Sequence, residues 1–184
     1  MKIYERLIQR ADDRYEAFLK RQILDPEDPF YGGVPRIEDD IIEYNQGCEI
    51  LAEGCMLYLC PFSRFYHSEI IPERMEAALQ FSFQNMNPDG TKHYLDCNFY
   101  TAAGTETQAL GEAILLLDRA EESAFRERFR SRMLDLLERL AHGVMCAGFH
   151  TPNHRWIYSG ALSIVYHITG KKEYLDAIEG FLKE

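Results

Sequence analysis

Residues 148–168 read GFHTPNHRWIYSGALSIVYHI, and the second half of that stretch is a helix without a broad polar face. Ile157, Ala161, Ile164, Val165 and Ile168 fall on one side of a helical period, while Trp156, Leu162 and Tyr166 carry apolar surface round the rest. Its polar residues, Arg155, Ser159, Ser163 and His167, recur every four positions. Such a helix is expected between neighbours rather than on a surface. Just ahead of it, His150, Asn153, His154 and Arg155 crowd around Pro152, gathering polar groups where the helix is about to begin.

Two further segments share this buried character. Residues 44–60 carry Cys48, Ile50, Leu51, Cys55 and Leu57, and residues 105–117 carry Ala109, Leu110 and the apolar run 113–117. The helices between them are amphipathic: 2–22, 72–86, 122–141 and 172–183 each set an apolar stripe against charges. Wet and dry helices therefore alternate, as in stacked helical hairpins. Their connections alternate too, short at 61–71, 118–121 and 169–172, long at 23–43, 87–104 and 142–153. In an up-and-down array every second connection lies at the same end, so the three long ones are expected on one face. The buried helices begin near 44, 105 and 154, a hairpin repeat of about 50–60 residues. The fold class expected is all-α with about seven helices, in one domain spanning residues 1–184.

The composition sets bounds on function. At 46% hydrophobic and 27% charged, the chain can bury one sizeable core, and it contains no apolar run long enough for a membrane span. A net charge of −10 argues against nucleic acid. The loops nevertheless hold Lys92, His93, His150, His154 and Arg155, so a locally positive face on an acidic body is expected. Charges within the first ten residues exclude a secretory leader there, which reads as cytoplasmic if this N-terminus is authentic. The five cysteines form no CxxC pair and are expected as buried free thiols, with no metal site.

Three loops can carry chemistry. In the first, Phe30 and Tyr31 precede Gly32-Gly33, an aromatic pair beside glycines that suits a flat ligand, and acids follow at Glu38, Asp39 and Asp40. The second contains a Pro-Asp-Gly turn with Asn85, Asn87, Asp89, Gly90 and Asp96 at partial calcium-loop spacing. It would also present His93, Asn98 and Tyr100. In the third, Asn153 is expected to cap its helix, and His154 and Arg155 then sit in a first turn where the dipole disfavours cations unless an anion is bound. His167, deep in the apolar helix, reads as a structural histidine.

Alternating helices, long loops on one face, and Thr-Pro-Asn-His-Arg-Trp opening a buried helix together resemble the (α/α) toroid of polysaccharide lyases, nearest the heparinase II/III-like and alginate-lyase-like superfamily. The resemblance rests on residues 146–184 and, more weakly, 87–100. It implies β-elimination on a uronate-containing polysaccharide, with Asn153 and Arg155 on the carboxylate and His154 accepting the proton or neutralising charge. Tyr100 would be the general acid, and His150, His93, Asn98, Tyr31 and Trp156 would contact an anionic oligosaccharide or polysaccharide. No cofactor is implied. Seven helices fall short of a closed toroid, so the chain is expected to be an incomplete toroid, either the N-terminal part of a longer enzyme lacking its C-terminal domain or a half that closes as a homodimer. Two other functions fit the same array. One is a glycoside hydrolase or sugar epimerase, for which Asp39, Asp40, Asp89, Asp96 and Glu106 are the available carboxylates. The other is a non-catalytic helical-repeat binding domain.

Overall fold

The computed structural model describes residues 3–36, 40–42, 44–92, 103–146 and 151–183. Within them lie seven helices: α1 (Ile3–Arg21), α2 (Gln46–Leu59), α3 (Ile70–Gln84), α4 (Ala103–Arg119), α5 (Ala124–Cys146), α6 (Pro152–Thr169) and α7 (Lys172–Lys183). The β pairing among the described residues is limited to two isolated antiparallel bridges, Pro35 with Ile42 and Met86 with Lys92. The chain is all-α, as its periodicity requires.

Contacts between helices show how the hairpins stack. Gly104 of α4 lies against Ile157 and Tyr158 of α6, and Gly111 lies against Ile164. Seven residues on one helix thus match about seven on the other, so α4 and α6 run parallel. The same step joins α2 to α4. Lys92 bridges Cys48 to Glu106, and the Cys55 thiol donates to the carbonyl of Ala113. The helices α2, α4 and α6 are therefore one parallel row, with all three N-termini at the same end. Behind it runs a second row of opposite direction. Gly47, near the start of α2, meets Ala78, Phe81 and Ser82 of α3, and Tyr158 of α6 meets Phe181 of α7. α3 and α5 run alongside each other, joined by Glu76 with Arg128 and by Arg139 over the Phe83 ring. α1 closes the free flank of α2, antiparallel to it, through Tyr15 beside Gly54. One apolar cluster passes through both rows, from Ile50 and Met75 through Leu110 and Phe129 to Leu162.

Some boundaries moved. α5 continues past Gly143 to Cys146, into the segment 142–153 expected as the third connection. Glycine in a helical pattern reads as a stop, but here Gly143 lets α5 approach the backbone of Gly90, where a Cβ would stand 2.3 Å from the Gly90 oxygen. α6 starts at Pro152, with Thr151 at the N-cap position and no side-chain cap, so Asn153 is not the cap. Proline is suited to that first position because its missing N–H would have no helical partner. At the other end Gly170 takes φ +69 and its N–H returns to the Tyr166 carbonyl.

Burial follows position in the row. In α2, flanked on both sides, Met56 is the one exposed residue. α6 ends the row and, contrary to expectation, is less buried than α3 and α5, though more so than its partner α7: Trp156 is 71% exposed and Tyr166 38%. Of the thiols, Cys48 and Cys55 are buried as expected, whereas Cys146 is exposed, and Cys97 lies outside the described residues. No helix among the described residues is long and apolar enough to cross a membrane.

Two glycines of opposite character test this packing. Gly90 has φ +83, and a Cβ there would lie 1.9 Å from the Arg139 carbonyl oxygen. Gly90→Ala should lower stability by about 2–4 kcal/mol in urea denaturation, combining left-handed strain with a backbone clash. Gly160 is helical with open space around it, so Gly160→Ala should raise stability by about 0.5–1 kcal/mol. Equal effects of the two substitutions would contradict the docking of the second connection on α5.

Candidate functional site

The shared N-terminal end of α2, α4 and α6 holds the densest polar chemistry. The second connection first makes a tight turn. Asn87 N–H donates to the Thr91 carbonyl, Asp89 Oδ1 accepts from both the amide and the hydroxyl of Thr91, and Asn87 Nδ2 donates to Thr91 Oγ1. Asn85 Nδ2 turns back to the Phe81 carbonyl. The described side chains at calcium-loop spacing, Asn85, Asn87 and Asp89, thus bond within the turn itself or back to α3. Among the described residues, no group of three His, Cys, Asp or Glu could hold a metal ion.

That turn delivers Lys92 into the protein. Its Nζ donates to Glu106 Oε2 at 2.6 Å, to the Tyr44 carbonyl at 3.2 Å and to Cys48 Sγ at 3.3 Å. Lys92 and Glu106 are 4% and 5% exposed, so Lys92 does not supply the positive surface expected of it, and Glu106 is no free hydrolytic acid. Burial alone would pull the Lys92 pKa down. Cys48 and Glu106 act the other way and win, leaving it above the ordinary lysine value. Burial pushes the Cys48 thiol up to about 12, so at neutral pH it is a thiol and the Glu106 carboxylate is the counter-charge that matters.

The residues at the start of α6 do not share a direction. Successive helical residues turn by about 100°, which fans Asn153, His154 and Arg155 over more than half the circumference. Asn153 is exposed and its Oδ1 accepts from the Thr151 hydroxyl. His154 is half-buried with its ring 5.8 Å from that of Tyr158. Arg155 is half-buried, and its Nε is buried without a partner among the described residues. Tyr31, half-buried, belongs to a turn on the other side of the row. There Gly32, at φ +86, lies against the Ala77 carbonyl, so these glycines serve packing on α3. His93, Asn98, Tyr100 and His150 lie outside the described residues, as do Asp39 and Asp96.

A second feature was not anticipated from the sequence. α4 is covered by α2 and α6 on its flanks and by α5 behind, so its exposed stripe Thr105, Gln108, Glu112, Leu116 and Arg119 is the front of the row. The same rotation on α6 puts Trp156, Ser163 and His167 on that front, and His167 is exposed rather than structural. On α2 the front residues are Glu49 and Met56. Matching levels of α4 and α6 set Ser163 beside the pair in which Gln108 Nε2 donates to Glu112 Oε1 at 2.9 Å. The front is thus a polar strip with one indole on it, a surface that offers hydrogen bonds and an aromatic face. Its signal in the sequence is the set of polar exceptions at three- and four-residue steps in otherwise apolar helices.

The buried pair yields a test. Lys92→Met leaves a buried carboxylate unpaired and should cost about 3–5 kcal/mol, while the Lys92→Met/Glu106→Leu double variant should recover most of the loss. Because the folded pKa of Lys92 is raised, its stabilisation is full below about pH 10 and is lost as pH rises through the folded value. A Lys92→Met loss as small as that of an exposed lysine, measured by urea denaturation, would contradict the pairing.

In comparisons with known proteins, the chain matches no family model, no curated protein and no solved structure.

Proposed function

We propose that the chain is an open section of an (α/α) toroid and that the front of its first row binds a uronate-containing oligosaccharide for lyase-type processing. The observation that carries the reading is Trp156, 71% exposed on a polar front and one turn from the end where three parallel helices begin. Sugars present C–H faces that stack on an indole, and their hydroxyls pair with amide and carboxylate groups such as Gln108 and Glu112. Parallel N-termini favour negative charge at that end, where a uronate carboxylate would sit near Asn153 or Arg155. β-Elimination removes the C5 proton, breaks the C4–O4 bond and returns a proton to O4. Its chief requirement is neutralisation of the adjacent carboxylate. Arg155, the cation in the first turn of α6, is the residue suited to that requirement. Proton transfer then falls to His154 or to a residue of the connections, with Tyr100 the acid.

One observation favours a second reading. Because Asn153, His154 and Arg155 point different ways, α6 alone does not assemble a three-residue carboxylate site, and a binding domain without turnover uses the same front. Hydrolysis draws less support, since Glu106 is paired with Lys92 and Glu112 is engaged by Gln108.

The readings separate in one experiment on the full chain. Alginate, heparan and chondroitin oligosaccharides are titrated calorimetrically, and unsaturated product is followed by its ultraviolet absorbance. Lyase action predicts product, with Arg155→Ala lowering turnover by about 10²-fold and Trp156→Ala weakening binding by about tenfold. Binding without product, still lost in Trp156→Ala, selects the binding domain. Absence of binding to all three polymers, or full activity in both variants, would sink the proposal.

A further inference from the structure

A cavity of about 570 Å³ opens where α2 and α4 finish, at the end of the first row away from the start of α6. Tyr58, Tyr66, His67 and Phe125 line it with aromatic rings. Tyr58, in the last turn of α2, is stacked on Phe125 at 3.8 Å and on His67 at 5.0 Å between ring centroids. Tyr66 tilts against His67 at 4.1 Å and remains 45% exposed, so it is the ring with open surface. His67 keeps its place against backbone preference. Its φ of +52 is a left-handed conformation that a residue with a Cβ rarely adopts, and its N–H donates to the Tyr58 carbonyl at 3.1 Å. Glycine would be relaxed there, and strain of this kind gathers at ligand sites.

The local charge decides the class of ligand. Arg119 is the one permanent cation on the cavity wall, against Glu121 and Glu122. All three are exposed, within reach of a ligand, and none has an ion-pair partner among the described residues. Burial, helped by the carboxylate of Glu69, raises the Tyr58 hydroxyl above its ordinary value, so a third acid acts at this end. α2 finishes here with no basic residue in its last turn, and its negative end adds to the same field. Leu116, 39% exposed, supplies apolar wall. Carboxylates beside an aromatic face and an aliphatic one suit a cation with an apolar surface, whereas a strongly hydrated primary ammonium would lose water there without replacement.

We propose that this cavity binds a small, weakly hydrated organic cation, a quaternary ammonium or a guanidinium, with its head on the Tyr66 ring and its charge offset by Glu121 and Glu122. A cavity of this volume accommodates one such molecule. The site uses none of the residues assigned to the oligosaccharide and stands independently of that reading.

Calorimetric titration of the full chain with choline, methylguanidinium, ethanolamine and dimethylbutanol, the neutral carbon analogue of choline, tests it. Choline or methylguanidinium should bind one to one, and the better of the two identifies the head group. Ethanolamine keeps the charge without the methyl groups, and dimethylbutanol keeps the shape without the charge. Each should bind at least about threefold more weakly than the better cation. Tyr66→Ala should weaken that cation by about threefold or more, while Tyr66→Phe, which keeps the ring face, should hold its affinity within about twofold. Arg119→Gln removes a like charge and should strengthen binding, and Glu121→Gln/Glu122→Gln should weaken it. Trp156→Ala should leave it unchanged. No isotherm for choline or methylguanidinium overturns the proposal. So does equal binding of dimethylbutanol, unchanged affinity in Tyr66→Ala, weaker binding in Arg119→Gln, or loss of binding in Trp156→Ala.

Discussion

One ammonium group sets the register of the first row. Lys92 belongs to neither helix it joins, yet it reaches the Tyr44 carbonyl and Cys48 at the entry to α2 and Glu106 in the first turn of α4. A buried ion pair gains little net stability, because removing both charges from water offsets most of their attraction. Its contribution is positional. Glu106 is paired with the buried Lys92 at 2.6 Å, so sliding α4 by a residue against α2 would leave a carboxylate unpaired in the core. The Asp89–Thr91 turn and the Gly90–Gly143 backbone contact hold the segment that carries Lys92, which couples the second row to the same registration.

Parallel helices bring an electrostatic consequence. α2, α4 and α6 align their dipoles, and the positive ends meet where the connections gather. First-turn acids offset this on two of them, Glu49 on α2 and Glu106 on α4, but α6 has none. Its first turn carries His154 and Arg155 instead. The second row, running the opposite way, balances the dipoles over the whole body but not at the mouth of α6. That helix start is the least compensated of the three.

Most of the architecture was legible before the structure, because alternation between one-faced and all-round apolar helices is a local signal. The pairs 44–60 with α2, 105–117 with α4 and 172–183 with α7 agree closely in extent. What the sequence hid depends on tertiary approach. Gly143 reads as a helix stop, and only the nearby Gly90 backbone explains a glycine that continues α5. Lys92 reads as a loop cation because its partner lies 14 residues away. One sign was available: an acid in the first turn of an apolar helix requires a buried counter-charge, and Lys92 is the cation immediately after the preceding turn. Of the residues singled out for chemistry, the described ones fall into two groups. Trp156 reached an exposed polar surface, whereas His154 turned toward the second row and Tyr31 is half-buried in the turn that Gly32 docks on α3.

The divergence within α6 follows from helical geometry. Its polar residues Arg155, Ser159, Ser163 and His167 step by four, and each step of four overshoots a full turn by about 40°. The line they form therefore winds across the helix instead of running along it. It begins on the side of α6 away from α4, where Arg155 has a buried Nε and Ser159 is buried, and it reaches the open front only at Ser163 and His167. A straight polar stripe would have marked a single groove. This winding line joins two sides of α6, so a ligand lying along the front, as proposed, would pass Ser163 and Trp156 before it reached the guanidinium end. In the proposed reading, Arg155 would serve such a ligand only from the edge of the row, and the side of α6 away from α4 would matter as much as the front.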